Sequence, residues 1–389
     1  MSWALPTTEG EERGTGRDGS AEPGRSTQPG RGAGPGTVGR ARRVAPLVLA
    51  AGLVVLLVVS VVVSVSIGQV DVPVGESFRI LLRELTGTGG PGDPMAVDVI
   101  WSIRFPRVLL AAVVGAGLAL CGTVMQATLQ NPLADPFILG ISSGASLGAA
   151  FAILVGFGAA GTAGAAAGLG VPFWAFAGAL AAAGLVLVVG NAGSRASAVK
   201  LILAGTAVNA LCGAASSALV YFANSAEGVR SVTFWTMGSL ASAEWATLPA
   251  VSTVVLVVLV FFLFQSRVLN SLLMGDEAAV TLGIDPGLYR RIHLVLAAVV
   301  TGMLVATCGI IGFVGLIVPH VARSVIGPDH RGLLPVTVLF GALFLIWADV
   351  AARVVVPNAE LPIGIVTSVL GAPLFLHMLI RKEYGFGDK

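Results

Sequence analysis

"GISSG", residues 140–144, has the Gly-x-Ser-x-Gly spacing of a nucleophile elbow. That chemistry needs Ser142 on a tight strand-to-helix turn, with a histidine and an acid behind it to take its proton. Both flanks are apolar and of helical length, so no strand presents the hydroxyl and the match reads as accidental. The four histidines, His293, His320, His330 and His377, lack HExxH spacing, and "VPHVAR" and "PDHR" read as helix-end hydrogen bonders rather than metal ligands. Cys121, Cys212 and Cys308 lie far apart inside apolar runs, which fits small buried hydrophobes rather than a zinc site or a disulfide framework. A phosphate-cradling GxxxxGK[ST] loop requires a Gly-Lys pair, but Lys200, Lys382 and Lys389 follow Val, Arg and Asp. The chain is therefore expected to catalyse nothing and to hold no cofactor; if ATP is used, a partner binds it together with Mg.

Ion-coupled carriers place ionisable groups at mid-membrane, paired or lining a cavity. Here Asp349 is the one convincing carboxylate within an apolar run, and Arg353 follows one helical turn later. An i,i+4 pair of this kind at a helix end reads as a structural tie rather than a proton relay, so a proton or sodium carrier is the weaker reading.

The polar stretch "QNPLADPFILGISSGASLG", residues 130–148, interrupts two long apolar runs. Pro132 lacks a backbone donor and pushes Asn131 out of helical geometry, which predicts the end of one helix there. Pro136 then suits the first turn of the next. Gly140, Ser143, Gly144 and Gly148 fall near one helical face, where small residues permit close approach of a neighbouring helix or form the wall of a pathway. Ser142 and Ser143 could offer hydroxyls to a polar solute; tight packing alone is the alternative.

The elements that must position these residues follow from composition. Of 389 residues, 55% are hydrophobic and 11% charged, with a formal net charge of +2, so no field for nucleic acid is indicated. Residues 1–43 are rich in Gly, Pro, Ser, Thr, Arg and Glu and predict a disordered tail; residues 44–389 form the membrane domain. Apolar runs at 47–67, 107–129, 138–157, 171–189, 199–222, 246–264, 291–308, 310–326, 333–355 and 361–380 predict ten transmembrane helices, an all-α membrane protein. With both termini cytoplasmic, seventeen Lys and Arg residues lie inside and six outside, the arrangement the positive-inside rule prefers. The long outer connection 69–106 carries Asp71, Glu76, Glu84, Asp93 and Asp98, and the inner connection 265–291 predicts two short helices around 283–286. "LAAVVGAGLALCG" (110–122) echoes "LAAVVTGMLVATCG" (296–309) with one insertion. The copies begin spans two and seven, an odd offset that makes the repeat an inverted one.

Several blocks carry a family resemblance. "RFPRVLLAAVVGAGLALCGTVMQATLQNPLADPFILGISSGASLG", "LAGTAVNAL", "FWTMGSL", "MGDEAAVTLG", "GFVGLIVPHVARSVIGPDHRGLLP", "ADVAAR" and "ELPIGIVTSVLGAPLF" together resemble the FecCD-type permeases. These are ten-helix membrane subunits, of type II importer architecture, in ABC importers for ferric siderophores, haem and cobalamin. The blocks follow family order across 104–382 and leave only the tail outside. The resemblance implies a permease dimer in the bacterial cytoplasmic membrane, two cytoplasmic ATPase subunits, an extracytoplasmic binding protein, and ferric siderophore as the commonest cargo.

Residue by residue, the resemblance maps Arg104, Arg107 and Arg353 onto outer-surface arginines that receive acidic residues of the binding protein. Snorkelling at the membrane boundary is the alternative, but arginines on the outer side run against the charge bias. Asn131 and Leu133 match a cytoplasmic gate. A second gate would lie in "SRASAVK", where Ala198 and Val199 replace small hydroxyl residues, so no role is carried over to them. Asn209, with Ser142 and Ser143, would line the path. Gly275, Asp276, Glu277, Ala278, Ala279 and Gly283 match the segment that seats on the ATPase.

Overall fold

The computed structural model describes residues 46–69, 72–87, 93–155, 170–191 and 198–380. The expected tail 1–43, Asp71, Arg195 with most of the second-gate loop, and the basic residues Arg381, Lys382 and Lys389 fall outside these. The described residues are helical, with no strand among them. Ten apolar helices follow one another: α1 Pro46–Ser66, α2 Phe105–Thr128, α3 Ile141–Leu154, α4 Gly170–Asn191, α5 Ala198–Tyr221, α6 Leu248–Phe264, α7 Pro286–Cys308, α8 Val314–Ile326, α9 His330–Val354 and α10 Ile363–Ile380. Each falls on one of the ten predicted spans.

Length divides them. α1, α2, α4, α5, α7 and α9 are each long and apolar enough to cross a membrane alone, and α6 bends by 64° into a short helix, Ser266–Leu273. α3 and α8 have 14 and 13 residues, roughly 20 Å against a hydrocarbon core of ~30 Å. Both follow irregular backbone, at 129–140 and at 309–313. A break and a short helix thus stand together where one full crossing was predicted. Two boundaries differ from expectation. α7 starts at Pro286 rather than 291, because Asp285 caps it by accepting from Gly287 and Leu288 and so draws the charged "YRR" into its first turns. Both short helices between α6 and α7, Ser266–Leu273 and Asp276–Thr281, accordingly precede Gly283.

The inverted repeat reappears in the packing. Taking α1–α5 against α6–α10, α3 on α4 corresponds to α8 on α9, α3 on α5 to α8 on α10, and α1 on α2 to α6 on α7. Across the halves, α2 on α9 corresponds to α7 on α4, and α2 on α8 to α7 on α3. The symmetry is weakest at α1, which packs extensively on α9, with no comparable packing of α6 on α4 among the described residues.

α2 is the axis of the bundle, buried along nearly all its length. Its apolarity all round fits that position, and its glycines set how near the neighbours come. A Cβ on Gly115 would strike the carbonyl of Gly341 in α9, and one on Gly122 the carbonyl of Gly315 in α8. Gly122→Ala should therefore force two backbones apart and destabilise by roughly 1–3 kcal/mol. Gly213→Ala, whose Cβ meets nothing within 4 Å, should be neutral or stabilise by up to ~1 kcal/mol through helix propensity. Thermal unfolding of the two variants in detergent checks this; equal melting temperatures would deny the close contact.

Candidate functional site

At the end of the bundle expected to face outward, the π-helical segment Asp98–Arg104 delivers two arginines into the protein as α2 begins. Arg104 donates to the carbonyls of Val65 and Ser66, both at 3.1 Å. Arg353, on α9, donates to those of Ile67 at 2.7 Å and Ser64 at 3.1 Å. The four carbonyls are those a helix leaves unpaired at its C-terminus, so two guanidiniums cap α1 where opposite partial charge accumulates. Arg107 places Nε 2.9 Å from Oδ1 of Asp349 and Nη1 2.7 Å from Oε2 of Glu360. Arg353 Nε lies 3.0 Å from Oδ2 of the same Asp349.

The expected exposed arginines are thus buried, at 7% for Arg104, 7% for Arg107 and 4% for Arg353. They are committed to internal acceptors, whose backbone members leave no mark in a sequence. Asp349 performs the expected structural tie to Arg353 and also binds Arg107, which was not foreseen. Glu360, unsuspected, is the half-exposed member of the group.

At the other end α2 stops at Thr128, and Gln130 adopts a left-handed backbone with φ 50°. The amide of Asn131 donates back to Gln126 at 3.1 Å, and the Asn131 side chain accepts from the amide of Leu133 at 2.9 Å. Asp135 caps the short turn Pro136–Leu139 by accepting from Phe137 at 2.8 Å. Gly140, φ 75°, then redirects the chain into α3. The helix therefore ends slightly earlier than Pro132 alone implies, and Asn131 and Leu133 sit half-buried in a compact turn. Asp135 is half-buried, and burial pushes its carboxyl up to about 6 against the pull of the Phe137 amide.

Ser143 and Asn209 meet. The hydroxyl of Ser143 lies 2.6 Å from Oδ1 of Asn209 and 3.0 Å from the carbonyl of Gly140, tying α3 to α5. Ser142, beside them, is half-buried at the start of a helix, with helix rather than strand behind it.

The connection between α6 and α7 presents two short helices. Ser266–Leu273 is fastened to the start of α9 through Asn270, which donates to Asp329 at 2.8 Å and accepts from the His330 amide at 3.0 Å. That donation is the chief reason Asp329 is held below the usual carboxylate range. Gly275, φ 104°, turns the chain into Asp276–Thr281, and Gly283, φ 78°, turns it out. Met274, Val280 and Leu282 are exposed at 72%, 60% and 60%, giving this helix an apolar tip beside the exposed Glu277. Of the expected coupling residues, Ala279 is fully buried and Ala278 half-buried, so these two support the helix rather than its surface. No cluster of three or more metal-ligating side chains occurs among the described residues.

Comparison with known proteins decides the family. The model of the FecCD transport family matches residues 56–381. The chain belongs to the FecCD transport family. It is 41% identical over 342 residues to the hemin transport system permease HmuU of Yersinia pestis, covering 88% of this chain and 98% of that one. To the cobalamin import permease BtuC of Halobacterium salinarum it is 40% identical over 293 residues, 75% and 76% of the two chains. To the vitamin B12 permease BtuC of Klebsiella pneumoniae it is 39% identical over 332 residues, 85% and 93%. A solved structure described as an inward-facing metal-chelate type ABC transporter superposes with a TM-score of 0.72 at 33% identity, over 87% of this chain and all of that one. As a FecCD member the chain is a multi-pass permease subunit of an ABC importer, not an enzyme.

Two expectations follow for this FecCD permease. Asp349→Ala removes the buried carboxylate that two buried guanidiniums share and should cost about 3–5 kcal/mol, whereas Glu360→Gln, at the half-exposed edge, should cost at most ~1 kcal/mol; thermal melting in detergent ranks them. For Asp135 the folded state holds a proton more tightly than the unfolded chain. Its contribution is full below about pH 4 and lost as pH rises through about 6. Asp135→Asn, which keeps an acceptor for the Phe137 amide, should flatten the melting temperature across that window; an unchanged profile would remove Asp135 from the account.

Proposed function

We propose that this permease carries an iron chelate inward across a bacterial cytoplasmic membrane, with haem the first cargo to test. Two copies, or this chain and a related one, enclose the path; two cytoplasmic ATPase subunits drive it, and an extracytoplasmic binding protein delivers the cargo. Both termini lie in the cytoplasm, as the excess of Lys and Arg on that side favours. The observation that carries the reading is the exposed apolar tip of Asp276–Thr281, at Met274, Val280 and Leu282, on a chain without a nucleotide-binding loop of its own.

For cargo, the 41% identical relative is named a hemin permease, which supports haem ahead of the ferric siderophore expected from the family at large. The 39–40% identical relatives named for cobalamin and vitamin B12 support a second reading, cobalamin. A smooth, apolar route for bulky complexes leaves discrimination to the binding protein, so permease identity alone separates these cargoes weakly. The outer face near Arg107 and Glu360 is where that protein docks, with complementary charge setting its register.

Reconstitution with the ATPase and binding protein in proteoliposomes should give haem uptake that requires ATP and is indifferent to ionophores. Val280→Glu should release the ATPase, read by co-purification. Uptake by the permease alone under an ion gradient would overturn the reading, and uptake of a ferric siderophore or cobalamin in place of haem would correct the cargo.

A further inference from the structure

One carboxylate joins three elements at the inner end of the bundle. Asp276, the first residue of the short helix Asp276–Thr281, accepts through Oδ1 from the side-chain amide of Gln130 at 2.9 Å and from Nη2 of Arg290 at 2.8 Å. Arg290 stands in the second turn of α7 and is 3% exposed. Its Nε also donates to the carbonyl of Thr128 at 3.2 Å, the last residue of α2. The Thr128 hydroxyl lies 3.3 Å from Nδ1 of His293, one turn further along α7. Gln130 belongs to the interrupted stretch itself, immediately before Asn131.

The geometry has a mechanical meaning. The Arg290 side chain is 4% exposed and that of Asp276 49%, so the pair runs from the surface of the short helix to the buried end of α2. A buried guanidinium held between acceptors on two elements resists their separation, because moving either one away leaves a charge without its partner. Gln130 adds a second tie to the same link, its side-chain amide held on Asp276 Oδ1 at 2.9 Å. Displacement of the short helix is therefore passed to the break without a flexible loop between them.

We propose that Asp276, Arg290 and Gln130 form a latch that transmits movement of the ATPase-facing helix to the broken end of α2, with Arg290 as its positioning residue. The proposal rests on the reading of 275–283 as the ATPase-facing segment. The test uses the whole complex, permease with ATPase and binding protein, in proteoliposomes, and reads three quantities: ATPase retained on purification, ATP hydrolysed, and cargo taken up. Arg290→Gln should keep the ATPase bound and hydrolysis within about twofold, while uptake falls about tenfold, the scale of losing one charge-assisted hydrogen bond. Arg290→Lys, which keeps the charge but reaches one acceptor instead of two, should recover part of the uptake. Gln130→Met, at an exposed position where folding is not at stake, should lower cargo moved per ATP in the same direction. Asp276→Asn combined with Arg290→Gln should be no worse than the poorer single variant. Uptake that stays proportional to hydrolysis in Arg290→Gln and Gln130→Met would overturn the latch. Loss of the latch leaves Val280→Glu still releasing the ATPase, whereas failure of the underlying reading leaves the ATPase bound in Val280→Glu as well.

Discussion

A peptide group that leaves a helix within an apolar surround must find another partner, since no water is there to take its place. The fold meets this constraint twice and in two different ways. At 129–140 the partners are local: Gln126, Asn131 and Asp135 satisfy the amides of Asn131, Leu133 and Phe137. At 309–313 and the segments packed on it they come from elsewhere in the chain. The amide of Ser239 donates to Cys308 at 2.8 Å, that of Ile363 to Gly238 at 3.2 Å and that of Gly364 to Met237 at 3.1 Å. A Cβ on Gly238, Gly309 or Gly364 would strike a backbone oxygen of another segment there. The turn at 129–140 thus satisfies these amides from within its own stretch, whereas at 309–313 three separate stretches of the chain meet.

Charge is used to the same end. The buried arginines are spent on carbonyls and carboxylates at the two ends of the bundle, where helix termini expose unpaired oxygens. Where α2 begins, Arg104 and Arg353 close off α1, and Asp349 holds Arg353 to Arg107. Where α2 ends, Arg323 donates to Gln126 at 2.9 Å, and the Gln126 amide reaches the carbonyl of Leu316 at 3.2 Å, joining α2 to α8. Between these two levels the contacts are mostly apolar, with Trp347 to Ser60 and Ser143 to Asn209 among the few polar ties, and several depend on glycine for their closeness.

The ten helices were legible because apolar length is a one-dimensional signal, and the inverted repeat because Ala, Val and Gly keep their order in both copies. The break at 129–140 was announced by Asn131, Pro132 and Pro136. At 309–313 only the gap between runs 291–308 and 310–326 was placed, and the length of the irregular stretch was missed, since "GIIGF" is apolar throughout and distant segments pack on it. Gln130, Glu360 and Arg290 passed unremarked for a related reason. Each looked like an ordinary polar residue beside a helix end, and only the fold brings their partners near. Arg104, Arg107 and Arg353 were found by pattern but given an exposure they lack, because the carbonyls that bury them have no residue type.

α1 rests chiefly on α9, through the Trp347 side chain that donates to Ser60 at 3.2 Å and through the guanidinium of Arg353, which joins positions 286 residues apart. During synthesis α1 leaves the ribosome before α2 to α8 and waits for all of them before its principal neighbour, α9, exists. Until then its apolar surface, much of it still exposed in the finished fold, has only lipid or an insertion factor to rest against, so a helix made ahead of its partner by most of the bundle is among the last to be fixed in place.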